Sequence, residues 1–199
     1  MTGNFFESET KENLMRAFAG ESQARNRYTI AAEKAREKGM YTIADVFLYT
    51  ADQERAHAER FYELLKEFTG STIFIDGGYP VDQQENLADL LKAAEHNEKE
   101  EFEDVYPAFG STAKAEGFLE AASTFFQIAE IEHTHQERFQ KIAEMAPITA
   151  GKNKVGGSVQ TAVISMTESR PHLYVRCAAM RRDIFFHMNT HLIKEPGNR

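Results

Sequence analysis

Apolar side chains recur along most of this chain at steps of three and four residues, the period of a helix with one buried face. Residues 9–38 set Leu14, Phe18, Ala24, Tyr28, Ala31 and Ala35 on one face, and Gly39 supplies a stop. A second run, about 41–68, carries Ile43, Phe47, Phe61, Leu64 and Phe68 and closes at Gly70. A third, about 85–106, has Leu87, Leu91, Ala94 and Val105 in phase. A fourth, about 112–145, has Phe118, Ala121, Phe125, Ile128, Phe139 and Ile142. Residues 71–84, STIFIDGGYPVDQQ, hold Gly77, Gly78 and Pro80 and read as a crossover connection. The pattern predicts an all-α, antiparallel four-helix bundle over residues 1–146, with a long crossover between helices 2 and 3.

Each stripe is interrupted by groups that ought not to be buried. Glu21 sits in the first and Glu54 and His57 in the second; Glu98 and Glu101 continue the third, and Glu132 and His135 fill the gap between Ile128 and Phe139. A lone Glu-x-x-His pair is ordinarily a satisfied core hydrogen bond. Four interrupted helices are not explained that way, and the interruptions recur, with Glu54 33 positions after Glu21 and Glu132 34 after Glu98. Each half is a helical hairpin with a carboxylate on one helix and Glu-x-x-His on the next. Glu95 and Glu103 fall beside the third stripe and His96 points further away; Glu100 and Glu103 read as a solvated charge run, and Glu130, His133 and Glu137, out of phase, as surface.

Five glutamates in one apolar interior would repel one another and lose their hydration, so cations must neutralise them. An oxygen-rich set with two imidazoles suits iron or manganese better than copper or structural zinc. Seven side chains exceed what one ion holds, so the set predicts two ions bridged by carboxylates, with a mixed metal pair also allowed.

Composition changes this picture little. The chain has 199 residues and is 42% hydrophobic and 27% charged, ordinary for a soluble globular protein. The opening MTGNFFESETKEN has neither a long apolar run nor a basic leader, so a cytoplasmic protein with no membrane span is expected. One cysteine, Cys177, rules out an intramolecular disulfide and a four-thiolate metal site. The net charge of −8 divides unevenly: residues 147–199 hold eight Lys/Arg against three Asp/Glu, leaving 15 against 28 in residues 1–146. An acidic body argues against nucleic-acid binding there.

A Glu from each of two helices with Glu-x-x-His from each of the other two is the pattern of ferritin-like di-iron carboxylate bundles. More closely, AFAGESQARNRY around Glu21, DQERAHAERF around Glu54 and His57, EKEEFEDVYPAF followed by KAEGF, and AEIEHTHQERF around Glu132 and His135 resemble the rubrerythrins over roughly residues 10–145. The resemblance implies a non-haem di-iron peroxidase that reduces hydrogen peroxide to water. It also implies roles: Glu54 and Glu132 as bridging carboxylates, Glu21 and Glu98 as terminal ligands, and His135 on the second iron. His57 and Glu101 become an exchangeable pair on the first. The family's Tyr-Pro, here Tyr106 and Pro107, selects Glu98 and Glu101, and Tyr28 and Tyr106 become hydrogen-bond donors to the ligands.

The resemblance stops near Ala146. Rubrerythrins commonly carry a C-terminal rubredoxin-like domain with two Cys-x-x-Cys pairs, which this sequence lacks. Residues 147–199 read as a basic tail of uncertain fold, with PITAGKNKVGGS of linker composition, short strands at SVQTAVISM and HLYVRC, and His172, His187 and His191 as weak candidates for ligation. Electrons are therefore expected from a separate donor such as a rubredoxin. A homodimer, with helices exchanged through residues 71–84, is expected from the resemblance and the near-equivalent halves. Two other functions compete: a ferritin-like protein that oxidises and binds ferrous iron, and a metal-free interaction bundle, which its buried carboxylates would destabilise.

Overall fold

In the computed structural model, residues 3–145 are described. The tail readings for residues 147–199, including Cys177, His172, His187 and His191, lie outside the described residues. Two long helices, α1 (Glu9–Glu37) and α2 (Tyr41–Leu64), form one hairpin. The other hairpin is α3 (Leu87–Glu100), a π-helical turn (Glu101–Val105) and α4 (Tyr106–Glu116), packed along α5 (Leu119–Met145). Short 3₁₀ turns at Phe5–Glu7 and Lys66–Phe68 flank the first hairpin, and no strand occurs among the described residues. This is the all-α four-helix bundle that the periodicity implied, with α3, the π turn and α4 forming one long third helix.

The helix ends have local causes. Ser8 caps α1 by accepting from Lys11 N at 3.1 Å. The Glu116 carboxylate accepts from Glu9 N and Thr10 N at 3.0 and 2.9 Å, satisfying amides that a helix start leaves open. Asn86 caps α3 through Ala88 N at 2.9 Å, so α3 opens at Leu87 rather than Glu85. The second helix stops at Leu64, earlier than expected, and tightens into the 3₁₀ turn.

A larger correction concerns the third and fourth helices. The sequence placed their boundary between Tyr106 and residue 112; the chain instead stays helical to Glu116 and breaks at Gly117. Pro107 would normally end a helix, because it lacks the N–H for an i−4 bond and its ring crowds the preceding turn. Here the bonding has widened just before it: Tyr106 N–H donates to the Glu101 carbonyl, five residues back. The break falls at Gly117 because its φ of 88° is left-handed, a conformation that costs glycine little.

Two apolar clusters fill the bundle. One gathers Ala24, Tyr28, Phe47, Leu87, Leu91, Phe139 and Ile142, and the other Leu14, Phe61, Tyr106, Phe125 and Ile128. On every long helix the interrupting polar residues lie, along the chain, between members of the two clusters. The bundle is thus two oily halves with a charged layer between them.

Replacing Gly117 by Ala forces a side chain into left-handed backbone and should destabilise the protein by about 1 kcal/mol. Thermal unfolding of G117A against wild type checks this; an unchanged midpoint would contradict it.

Candidate metal centre

The charged layer is closed to solvent. Glu21, Glu132 and His135 are fully buried, and Glu54, His57 and Glu98 are nearly so. On α2 and α5 the Glu-x-x-His spacing sets both side chains on one face. Around His57 Nδ1 stand Glu132 Oε1 at 2.8 Å, Glu54 Oε2 at 3.3 Å and Glu21 Oε2 at 3.6 Å. Around His135 Nδ1 stand Glu132 Oε2 at 2.7 Å, Glu54 Oε1 at 3.0 Å and Glu98 Oε2 at 3.4 Å. Glu54 and Glu132 therefore turn one oxygen toward each imidazole, while Glu21 and Glu98 each serve one side only. The two rings stack with centroids 5.7 Å apart.

The residues form two overlapping groups, Glu21–Glu54–His57–Glu132 and Glu54–Glu98–Glu132–His135, each with its ligand atoms within 4.8 Å of one another. Although the imidazoles approach the carboxylates closely, both Nδ1 atoms lack a hydrogen-bond partner, as do Glu21 Oε2, Glu98 Oε2 and all four oxygens of Glu54 and Glu132. Buried polar atoms are rarely left so. These orphans face a common centre, and their chemistry, carboxylate oxygen with one imidazole nitrogen per group, fits a pair of hard or borderline cations.

The outward oxygens are held separately. Tyr28 donates its hydroxyl to Glu98 Oε1, and Tyr106 donates to Glu21 Oε1. Burial raises both phenols well above their ordinary value, and the adjacent carboxylates, Glu98 and Glu21 respectively, add to it. Both therefore remain protonated donors.

Glu101 stands apart. It lies at the head of the π turn, is half-buried rather than buried, and belongs to neither group. Val105 is half-buried too, because the π turn shifts the helix face that a strict α-helix would have continued. Burial, with Glu21, Glu98, Glu132 and Glu54 nearby, still raises the Glu101 carboxyl well above the usual range.

In the metal-free protein, the buried groups hold protons more or less firmly according to their neighbours. Burial, reinforced by Glu132, pushes Glu21 up strongly; burial and Glu54 raise Glu98 to about 8. Burial also opposes charge on Glu54 and Glu132, but His135 and His57 outweigh it and hold both carboxyls low. The imidazoles respond in kind. Burial would lower them, yet Glu132 and Glu21 around His57, and Glu54 and Glu132 around His135, hold both well above the ordinary value.

The sequence reading missed three residues here: Arg27 on α1, Asp82 in the crossover and Asn97 on α3. Asp82 Oδ2 accepts from Arg27 Nη1, and from Asn97 Nδ2 at 2.9 Å. Arg27 lay within a quoted motif, but only the fold brings residue 82 to it.

This bundle and its paired carboxylate–imidazole groups define a ferritin-like di-metal protein. Comparison with known proteins agrees: the rubrerythrin family model matches residues 12–143. The rubrerythrin of Clostridium perfringens is 43% identical over 138 residues, covering 69% of this chain and 71% of that protein. The rubrerythrin of Porphyromonas gingivalis is 46% identical over 132 residues, covering 66% of this chain and 64% of that one. The structure of nigerythrin in its fully reduced, all-ferrous state superposes with a TM-score of 0.60 at 30% identity, covering 76% of each chain. The chain belongs to the rubrerythrin family. The family is a di-iron one of oxidoreductases, and the Glu/His groups here are positioned to hold such a metal pair.

In the metal-free state, Glu21, Glu98, Glu101, His57 and His135 hold protons to a higher pH folded than unfolded. Raising the pH then favours unfolding, since the unfolded chain binds fewer protons. Glu54 and Glu132, held low, give stability that is lost only in acid. Metal-free protein should therefore lose stability between about pH 6 and about pH 8, Glu98 alone accounting for on the order of 2 kcal/mol of the loss. Denaturant unfolding in the presence of a chelator checks this, and rising stability over that range would contradict it.

Proposed function

We propose that this protein reduces hydrogen peroxide to water, consuming two electrons and two protons per peroxide, in defence against oxidative stress. The observation that carries this reading is Glu101, a surplus carboxylate beside both groups and more open to solvent than any of their members. A centre built only to bind and store iron has no evident use for it.

When bound, the iron pair supplies the two electrons. Glu21, Glu54, His57 and Glu132 would hold one ion and Glu54, Glu98, Glu132 and His135 the other, Glu54 and Glu132 serving both. Tyr28 and Tyr106 hold the outward oxygens of Glu98 and Glu21, fixing which oxygen faces inward. Glu101 would share with His57 the task of holding the first iron, its extra anion favouring the oxidised charge. Its raised affinity for protons also suits it to hold a proton beside the reacting oxygen. The aromatic rings on both sides of the layer, Phe47 and Phe139 on one and Phe61 and Phe125 on the other, exclude water from it.

Electrons reach the centre from a donor outside this bundle, of the rubredoxin type. No helix of the described residues is long and apolar enough to cross a membrane, in keeping with action in the cytoplasm. A homodimer with helices exchanged through the crossover is part of the same reading. Iron is favoured, with manganese or a mixed pair compatible with the ligands.

Anaerobic ferrous protein mixed with peroxide should oxidise at least about tenfold faster than with oxygen at equal concentration, read by stopped-flow absorbance. The reverse order would favour the ferritin-like alternative of ferrous iron oxidation and binding. Glu101→Ala should retain two irons per chain and lower peroxide turnover by about 100-fold. Unchanged turnover would remove Glu101 from the mechanism.

A further inference from the structure

Residues 71–84 carry no helix or strand, yet they are pinned along the bundle. Arg16 binds Asp76 Oδ1 at 2.8 Å, Tyr79 donates to the Arg16 carbonyl at 3.1 Å, and Lys34 donates to the Gln84 carbonyl at 3.1 Å. Asp76 is 93% exposed, so its anchor is worth little. Asp82 differs. Its side chain is 14% exposed and that of its partner Arg27 is 12% exposed.

The partners of Asp82 give it a further meaning. Arg27 and Asn97 belong to different helices, and each immediately precedes a residue of the metal centre, Tyr28 on α1 and Glu98 on α3. Those two are themselves joined, Tyr28 donating to Glu98 Oε1. The contacts close a ring: Asp82 to Arg27, along one residue of α1 to Tyr28, across to Glu98, back one residue of α3 to Asn97, and to Asp82 again. The guanidinium is fixed along α1 as well, since Arg27 Nε donates to Gln23 Oε1 at 2.8 Å. A largely shielded charge-assisted pair holds its geometry more firmly than an exposed one.

We propose that Asp82 is a positioning residue for the metal centre, setting the separation of α1 and α3 so that Glu98 reaches the ion on the His135 side. This inference rests on the di-metal reading above. Asp82 makes no hydrogen bond or ion pair with a member of either ligand group; it acts through Arg27 and Asn97. Its effect is therefore lopsided, because Glu98 serves only the group containing His135, whereas Glu21 on the other side is held by Tyr106. A crossover residue thereby tunes one metal position and leaves the other alone.

Titration of the metal-free full chain with cobalt(II), followed by visible absorption and calorimetry, separates the two sites. Wild type should take up two equivalents. Asp82→Ala should weaken one of them by about 10- to 100-fold and leave the other within about threefold. Asp82→Asn keeps an oxygen for Arg27 and Asn97 and should restore most of that loss. Tyr28→Phe opens the ring at its far side and should weaken the same equivalent, with the Asp82→Ala/Tyr28→Phe double variant adding little more. Asp76→Ala, which removes an exposed anchor of the same segment, should bind both equivalents as wild type does. Equal weakening of both equivalents, or of neither, in Asp82→Ala would overturn the proposal, as would additive effects in the double variant. Should Asp82→Ala fail to fold, Asp82→Asn and Tyr28→Phe decide the matter, and a Tyr28→Phe loss at the other equivalent, or none, would overturn it. If wild type itself takes up fewer than two equivalents, the di-metal reading falls and this inference with it. If it takes up two and the ring variants bind identically, this inference alone falls.

Discussion

The constraint on which this fold depends is the burial of a charged layer between two apolar halves. Moving a carboxylate from water into a protein interior costs several kcal/mol unless its charge is met. Glu21, Glu54, Glu98 and Glu132 are all buried together, and two imidazoles alone cannot meet them. Two answers are visible in the chemistry of the site. Without metal, burial and neighbouring carboxylates strengthen the hold of Glu21, Glu98 and Glu101 on their protons, and the carboxylates do the same for both histidines. A di-iron pair would replace those protons and give the oxygens of Glu54 and Glu132, which lack hydrogen-bond partners, their partners.

The rest of the bundle serves this layer. The Phe47–Phe139 and Phe61–Phe125 ring pairs, with centroids 5.3 and 5.2 Å apart, belong to the apolar clusters on its two sides. Tyr28 and Tyr106 carry apolar rings into those clusters while their hydroxyls reach the charged oxygens, so each joins oil to charge. The π turn places Glu101 at the edge of the layer rather than within it and lets the helix run on through Pro107. A widened turn of this sort is costly where it serves nothing.

Much of this was legible in the sequence, and the exceptions have physical reasons. The stripe phase alone brought Glu21, Glu54, His57, Glu98, Glu132 and His135 to one interior, because a fixed helical period converts spacing into direction. Glu101 was in phase on paper but half-buried in the fold, since a π turn has no signature in apolar periodicity. The third helix was ended near Tyr106 for want of further apolar positions in phase, and Gly117, the actual break, was passed over. The Asp82 clasp was out of reach: residue 82 lies 55 positions from Arg27, and no periodicity governs a segment without regular structure. Rules that act along a helix could be read from the chain, whereas those that act between a loop and a helix needed coordinates.

The central claim is that two bridged metal ions, and not protons or a single ion, complete this interior. Mössbauer spectroscopy of protein loaded with isotopically enriched iron and oxidised tests it most directly. The account predicts two ferric ions per chain, magnetically coupled through Glu54 and Glu132 into a diamagnetic ground state. Iron present only as isolated, uncoupled ferric ions, or at one per chain, would contradict it.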